Sequence, residues 1–125
     1  MKIEANEIEI NGEKYVRKNS LQFMPNIEDG KTYCIVRTDS AGVFAGWVDR
    51  KSIKNKCGTV YCSRRIHHWE GAASLSQLSV SGTSSPNNCR FPCVVPETDL
   101  TEIIETIPCS NVAKISIEGV PLWES

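Results

Sequence analysis

The sequence predicts a single α+β domain, built on a curved and mostly antiparallel β-sheet with two short α-helices. The chain has 125 residues, a length that fits one domain with its own core. Alternating apolar and polar residues, separated by turn residues, favour strands through the first half. Two later segments have the apolar spacing of short helices. We therefore predict one domain over residues 1–125.

The N-terminal part is predicted to form a hairpin and a loop. Residues 7–10 and 13–17 flank Asn11-Gly12, a dipeptide that favours the type I′ turn of a two-residue hairpin. Pro25 and the pair Asp29-Gly30 predict a loop over residues 20–31.

Three strands are predicted in the middle of the chain, over residues 32–38, 43–49 and 59–66. A turn at residues 39–42 joins the first two, and residues 51–58 form a polar, basic connection to the third. Glycines within the hairpin predict a bend or a close approach of two backbones.

The C-terminal half is predicted to begin with a helix over residues 73–80 and a loop over residues 81–88. Two strands over residues 90–95 and 100–107 and a second helix over residues 111–118 follow. Residues 100–107 also fit a helix, and the loop is either mobile or a lid. Ser110 is a suitable N-cap for the second helix and Gly119 a suitable end.

The apolar residues of this half predict how the helices pack. Leu75 and Leu78 are expected to bury one side of the first helix. Val112 and Ile115, with Ala113, are expected to face the sheet from the second helix. The apolar tail 120–123 either covers the core of its own chain or docks on another subunit.

The six cysteines are interpreted as buried free thiols: Cys34, Cys57, Cys62, Cys89, Cys93 and Cys109. The N-terminus lacks a signal-peptide core, so reduced thiols are expected. Cys34, Cys62 and Cys93 lie in apolar runs, where cysteine packs as a small hydrophobic residue. A zinc site is the second interpretation, because two cysteine pairs lie near two histidines, although the spacing within each pair is looser than in most structural zinc sites. Three disulfides are the third alternative.

Charge and hydropathy exclude some classes of function. A net charge of −1 and a pI near 6.1 argue against a protein that binds duplex nucleic acid. The apolar runs are shorter than the roughly 18 residues of a membrane span. We expect a cytoplasmic protein without a membrane partner.

The familiar catalytic motifs are missing from the sequence. It contains no nucleophile elbow, Walker loop, dinucleotide-binding glycine fingerprint or His-Glu-x-x-His motif. A histidine of the pair 67–68 with a cysteine remains a possible nucleophile and base, because such partners meet in space rather than in sequence. We predict a binding module rather than an enzyme, with no cofactor and no metal.

The segment Arg64-Arg65-Ile66-His67-His68-Trp69 is the main candidate for a binding site. It brings two guanidinium groups, two imidazoles and an indole to the predicted start of a helix, where backbone N–H groups bind anions. Together these groups suit a small phosphorylated or nucleotide-like ligand. Strand alternation places Arg64 and Arg65 on opposite faces, so one of them is expected to face the pocket. The alternative is an ordinary strand with a solvated basic face.

These residues also carry a resemblance to a known family. Residues 64–78, 86–91, 104–109 and 120–123 resemble small phage and prophage proteins that include the Thoeris anti-defence sponges. The resemblance covers roughly residues 32–123, so residues 1–31 look like a variable extension and residues 32–125 like the family core.

The resemblance implies a phage-encoded protein that binds a cyclic ADP-ribose-type immune signal in the bacterial host and does not cleave it. Related sponges also hold cyclic oligonucleotides. Enclosing such a ligand between subunits implies a homodimer or a larger homo-oligomer. The alternative is a small phage structural protein, or a module that contacts a protein or RNA through its basic patch.

Such a ligand would need a phosphate site, a stacking surface and polar contacts. Arg64 or Arg65 and the N–H groups near Ser74 suit the phosphates, and Trp69 or Phe91 suits an adenine. Side-chain amides suit ribose hydroxyls and base edges. The expected ligand-binding residues are Arg64, Arg65, His68, Trp69, Ser74, Gln77, Asn88 and Phe91, with Asn87 as a further amide.

Overall fold

The computed structural model describes residues 27–124, which contain six strands and two α-helices. The strands are β1 (Ile27–Glu28), β2 (Lys31–Thr38), β3 (Val43–Val48), β4 (Gly58–Arg65), β5 (Val94–Leu100) and β6 (Ile103–Pro108). The helices are α1 (Leu75–Ser81) and α2 (Asn111–Glu118), and short 3-10 turns cover Arg50–Ser52 and Pro86–Asn88. The predicted hairpin at residues 7–17 lies outside the described residues.

The strands form one antiparallel sheet that curls without closing. Its order is β1-β2-β3-β4-β5, and β6 pairs with β2 beyond the short β1. β5 and β6 therefore lie on opposite edges of the sheet, yet only residues 101–102 connect them. A link this short spans about 11 Å, so the two edges must converge at that end. The predicted α+β domain with a mostly antiparallel sheet and two short helices is confirmed.

The curl creates two apolar clusters, one on each face of β2. The cluster inside the curl consists of Cys34, Val36, Phe44, Val48, Val60, Leu100 and Ile103. The cluster on the other face lies under the helices and consists of Tyr33, Ile35, Ala45, Ile66, Leu78, Cys89, Phe91, Cys109, Ala113, Ile117 and Val120. β2 is buried on both faces, and this explains why its apolar residues run almost continuously.

The second helix has the predicted bounds but buries a different side. Ser110 caps it, since the Ser110 hydroxyl accepts a hydrogen bond from the Ala113 N–H at 3.0 Å. Its buried residues are Ala113 and Ile117, whereas Val112 and Ile115 are exposed. The prediction for these two residues is wrong, because both sets of positions have helical spacing and only tertiary packing distinguishes them.

The first helix begins two residues later than predicted, and its Leu78 is fully buried as expected. Within residues 27–124, neither helix has the length and apolar character needed to cross a membrane.

Three predicted boundaries are wrong. The end of the predicted loop 20–31 is instead a hairpin, in which Asp29 and Gly30 turn with positive φ between β1 and β2. The predicted strands 90–95 and 100–107 are shifted, because the chain turns at residues 101–102 without the glycine or proline that usually signals a turn. Pro96, rather than Pro92, lies within a strand, and it is tolerated there because β5 is an edge strand.

The predicted close approach occurs at Gly46. The pairing of β3 with β4 shifts register between Ala45 and Trp47, and Cys62 on β4 takes a positive φ of 51° beside the shift. A Cβ atom on Gly46 would lie 2.6 Å from Val60 Cγ1 and 2.7 Å from the Tyr61 carbonyl oxygen. Only glycine fits this β-bulge without displacing the backbone of β4.

We expect Gly46→Ala to lower the free energy of unfolding by about 3 kcal/mol, because the Tyr61 backbone cannot move aside as a side chain can. Gly119→Ala is the matched control. Gly119 has a φ of −87°, which alanine adopts readily, and a Cβ there would lie 3.3 Å from the Ile115 carbonyl oxygen, a contact that a shift of a few tenths of an ångström relieves. A change below about 1 kcal/mol is therefore expected. Urea denaturation measures both, and equal effects would contradict the steric explanation.

The cysteines divide into two groups by exposure. Cys34, Cys89 and Cys109 are buried, while Cys57, Cys62 and Cys93 are exposed. The prediction of burial is therefore wrong for Cys57, Cys62 and Cys93, which lie before β4, at a bulge and before an edge strand, respectively. In the part of the chain that the structure describes, no three His, Cys, Asp or Glu residues are grouped to hold a metal ion.

We expect the three exposed thiols to react rapidly with a thiol reagent near pH 8, and the others only after unfolding. Burial raises the pKa of Cys34 to about 11 and that of Cys109 to about 12, so both stay protonated in the native protein. Unfolded thiols ionise near pH 9, so this contribution to stability is present below pH 9 and lost as the pH rises towards 11. Rapid modification of six native thiols would contradict the burial.

Candidate functional site

Arg64 is buried and binds backbone carbonyl groups. Its side chain is 6% exposed. Its Nε donates to the Pro92 carbonyl oxygen at 2.9 Å and its Nη1 to the Ile117 carbonyl oxygen at 2.9 Å. Its Nη2 donates to the carbonyl oxygens of Phe91 at 3.1 Å and Pro121 at 3.3 Å. Arg64 therefore connects β4, the segment before β5, the end of α2 and the C-terminal tail.

Arg65 lies on the opposite face, as strand alternation predicts. It is exposed, donates to the Ala41 carbonyl oxygen, and lies with its guanidinium carbon 4.4 Å from the centre of the Phe44 ring. It covers the cluster inside the curl, whereas Arg64 binds the end of α2. The sequence predicted that one of these arginines faces a pocket at the start of α1, whereas the contacts of Arg64 are with carbonyl groups and those of Arg65 are with Ala41 and Phe44.

Ser74 and Gln77 cap α1. The Ser74 hydroxyl accepts a hydrogen bond from the Gln77 N–H at 3.1 Å, and the Gln77 side-chain oxygen accepts one from the Ala73 N–H at 2.8 Å. The Ser74 hydroxyl satisfies a backbone donor that the first turn leaves without an intrahelical partner, and the Gln77 side chain binds the residue that precedes the cap. The structure therefore uses both residues to begin the helix.

The two aromatic residues expected to stack on a base lie mainly within the core. Phe91 is fully buried, with the Arg64 guanidinium carbon 5.4 Å from its ring centre. Trp69 is partly buried against the cluster under the helices, and its indole N–H donates to the Ala72 carbonyl oxygen at 3.2 Å. The placement of Phe91 leaves no ring face accessible to a ligand from the surface.

Two of the predicted residues, His68 and Asn88, meet at a surface cleft of about 300 Å³. The cleft is lined by His68, Glu70, Asn87, Asn88, Cys89, Arg90 and Trp123. Three segments lie side by side to form it. Residues 67–68 bridge to Arg90 through backbone hydrogen bonds, and the Trp123 N–H donates to the Phe91 carbonyl oxygen at 3.1 Å.

Trp123 brings a flat aromatic surface to this cleft. Its ring stacks on His67 with a centroid separation of 5.0 Å and an interplanar angle of 9°. The Arg90 guanidinium carbon lies 5.8 Å from the indole centre. Trp123 nevertheless remains 40% exposed. The tail thus docks on its own chain, as one of the two sequence interpretations proposed, and still presents an aromatic surface.

A histidine–carboxylate pair forms another wall of the cleft. His68 Nε2 lies 3.0 Å from Glu70 Oε2, and both side chains are about half exposed. Together with the two asparagine amides, the cleft offers hydrogen-bond donors and acceptors, a guanidinium and an indole. Sequence reasoning missed Arg90, Trp123 and Glu70 as site residues. The unusual apolar tail was the only sequence signal, and it pointed to Trp123. The position of the tail beside residue 91 depends on the tertiary fold, so the sequence could not place Trp123 next to Arg90 and Glu70.

The sequence profile of one family matches residues 31–117, more than half of the chain: Domain of unknown function (DUF6948). The chain belongs to the DUF6948 family. No curated protein and no solved structure matches it. The DUF6948 region begins with β2 and ends within α2, so the cleft combines residues 68–90 of this region with Trp123 from the tail that follows it.

We expect Arg64→Met to lower the free energy of unfolding by about 3 kcal/mol or more, because four carbonyl groups lose a donor in a buried place. Arg64→Lys should also destabilise, since a compact ammonium cannot reproduce the planar fork. Arg65→Met is the matched control and should cost less than about 1 kcal/mol. Chemical denaturation compares the three variants. Equal losses at the two positions would contradict the connecting role of Arg64.

Proposed function

We propose that this DUF6948 protein binds a small, nucleotide-like anion at the cleft around Trp123 and Arg90, and holds it without chemical change. One observation carries the proposal: a half-exposed indole and a guanidinium converge with two asparagine amides and a histidine on one cleft. Ligand sites of this kind combine an apolar or aromatic surface with a few placed polar groups.

Each group has a role in this proposal. The Trp123 indole stacks on a base, an interaction worth about 1–3 kcal/mol. Arg90 contacts a phosphate with its planar fork. Asn87 and Asn88 hydrogen-bond to ribose hydroxyls or base edges. The His68 imidazole, whose Nε2 lies 3.0 Å from Glu70 Oε2, hydrogen-bonds to that carboxylate and so occupies one of its oxygens.

The resemblance to Thoeris anti-defence sponges suggests the specific form of this function. On this proposal, a phage-encoded protein acts in the cytoplasm of an infected or lysogenic bacterium and sequesters a cyclic ADP-ribose-type signal or a cyclic oligonucleotide. Residues 64–78 and 86–91, which carry much of the resemblance, include most of the lining of the cleft. Sequestration requires tight binding and no catalytic group.

The size of the cleft favours binding between two subunits. Its volume of about 300 Å³ is at the lower limit for ligand pockets. A second copy placed over the cleft would enclose the ligand and bury more of the exposed Leu122 and Trp123. We therefore propose a homodimer or larger homo-oligomer in which facing clefts share one ligand.

We expect Trp123→Ala and Arg90→Ala each to weaken binding at least tenfold, because each removes a contact worth about 1.5 kcal/mol or more. Calorimetry with cyclic ADP-ribose isomers and cyclic oligonucleotides measures the affinities. Arg37→Ala is the matched control, since Arg37 is an exposed arginine that pairs with Glu105 outside the cleft. Wild-type affinity in both cleft variants would exclude this cleft as the site.

Recovery of the ligand distinguishes the classes of function. The protein is incubated with the bound ligand and then denatured by heat, and the released molecule is identified by mass spectrometry. Intact ligand supports sequestration, whereas a cleaved product would indicate an enzyme. Failure to remove any of the cyclic nucleotides from solution would overturn the proposal and favour a module that contacts protein or RNA.

A further inference from the structure

A second and larger cavity lies where β1 ends and β6 begins along one edge of β2. This edge groove has a volume of about 930 Å³ and is lined by Ile27, Gly30, Thr32, Asp49, Arg50, Lys51, Ile53, Ile103, Ile104, Glu105 and Thr106. Four isoleucines supply its apolar surface, and two of them are well exposed: Ile27 at 62% and Ile104 at 44%.

The groove also borders an incomplete part of the sheet. Within residues 27–124, β6 pairs with β2 alone, so its other edge presents backbone groups to whatever lies beside it. An apolar groove next to a strand edge suits an extended segment with apolar residues on one face, because such a segment can add hydrogen bonds and bury side chains together.

The chain itself supplies a segment of this kind. Ile27, the first described residue, lines the groove, so residues 1–26 join the described chain at the groove itself. In that segment Ile8 and Ile10 alternate with glutamates, and residues 7–17 have the pattern of a hairpin. A two-stranded hairpin is marginal alone and needs an apolar surface to pack on. The DUF6948 region starts at residue 31, so this segment precedes the shared domain.

We propose that the edge groove is the docking site of the chain's own N-terminal segment, with Ile8 and Ile10 packed against Ile27 and Ile104. The 16 residues between Ile10 and Ile27 are ample to fold back over a groove that begins at Ile27. Docking covers the exposed isoleucines and the free edge of β6. On this proposal the segment packs on the DUF6948 domain from outside the matched residues 31–117.

Limited trypsin digestion of the full chain tests the proposal. Cleavage after Arg17 requires the segment to detach, so docking should make it slow. We expect Ile104→Asp to accelerate this cleavage at least tenfold while the melting temperature of the domain changes little. Ile115→Asp is the matched control, because Ile115 is an equally apolar residue, 58% exposed, on α2 outside the groove. The control should cleave at the wild-type rate.

A second variant acts from the other side of the contact. Ile8→Asp combined with Ile10→Asp leaves the described domain unchanged and should produce the same acceleration as Ile104→Asp. Rapid cleavage after Arg17 in the wild-type chain would overturn the proposal, because the segment would then be undocked. Slow cleavage in all the variants would also overturn it, since the segment would be protected by something other than this groove.

Discussion

The contact between the Arg64 guanidinium and four backbone carbonyl oxygens is the interaction on which much of the structure depends. It joins segments that are far apart in sequence, at residues 64, 91–92, 117 and 121. Two physical properties explain why arginine occupies this place. The planar group directs several donors at once, and its positive charge is favourable at the end of α2, where unpaired carbonyl groups concentrate negative charge. Burial lowers the pKa of this side chain, yet arginine retains its proton.

The hydrogen bonds of Arg64 hold in place the segments that form the cleft. The Phe91 carbonyl oxygen accepts from both the Arg64 side chain and the Trp123 N–H, so the guanidinium and the tail meet at one atom. Arg90 and Trp123, which form two walls of the cleft, are the neighbours of these anchored positions. Arg64 therefore supports the walls of the candidate cleft, although the sequence suggested it for a direct contact with phosphate.

The sequence predicts the fold well wherever local chemistry decides the structure. The bounds of α2 follow from Ser110 and Gly119, and the central hairpin follows from its turn residues. Prediction from the sequence fails where packing between distant segments decides the structure, as it does for the buried face of α2 and the turn at residues 101–102. The site illustrates the same limit. A guanidinium binds a phosphate and a set of carbonyl groups by the same geometry, so the sequence alone cannot assign Arg64 to a ligand or to the fold.

The two-residue connection between β5 and β6 has a consequence for how the protein folds. β5 and β6 are adjacent in sequence but occupy opposite edges, so β6 must pair with β2, a strand made long before it. Arg37 and Glu105, which form an ion pair across this pairing, are 68 residues apart. Contacts of such long range slow folding, because the entropy of the intervening chain is lost before the pairing forms. During synthesis, residues 34–38 of β2 keep one edge uncovered until β6 leaves the ribosome. For that whole interval the nascent chain is open to strand exchange with its neighbours.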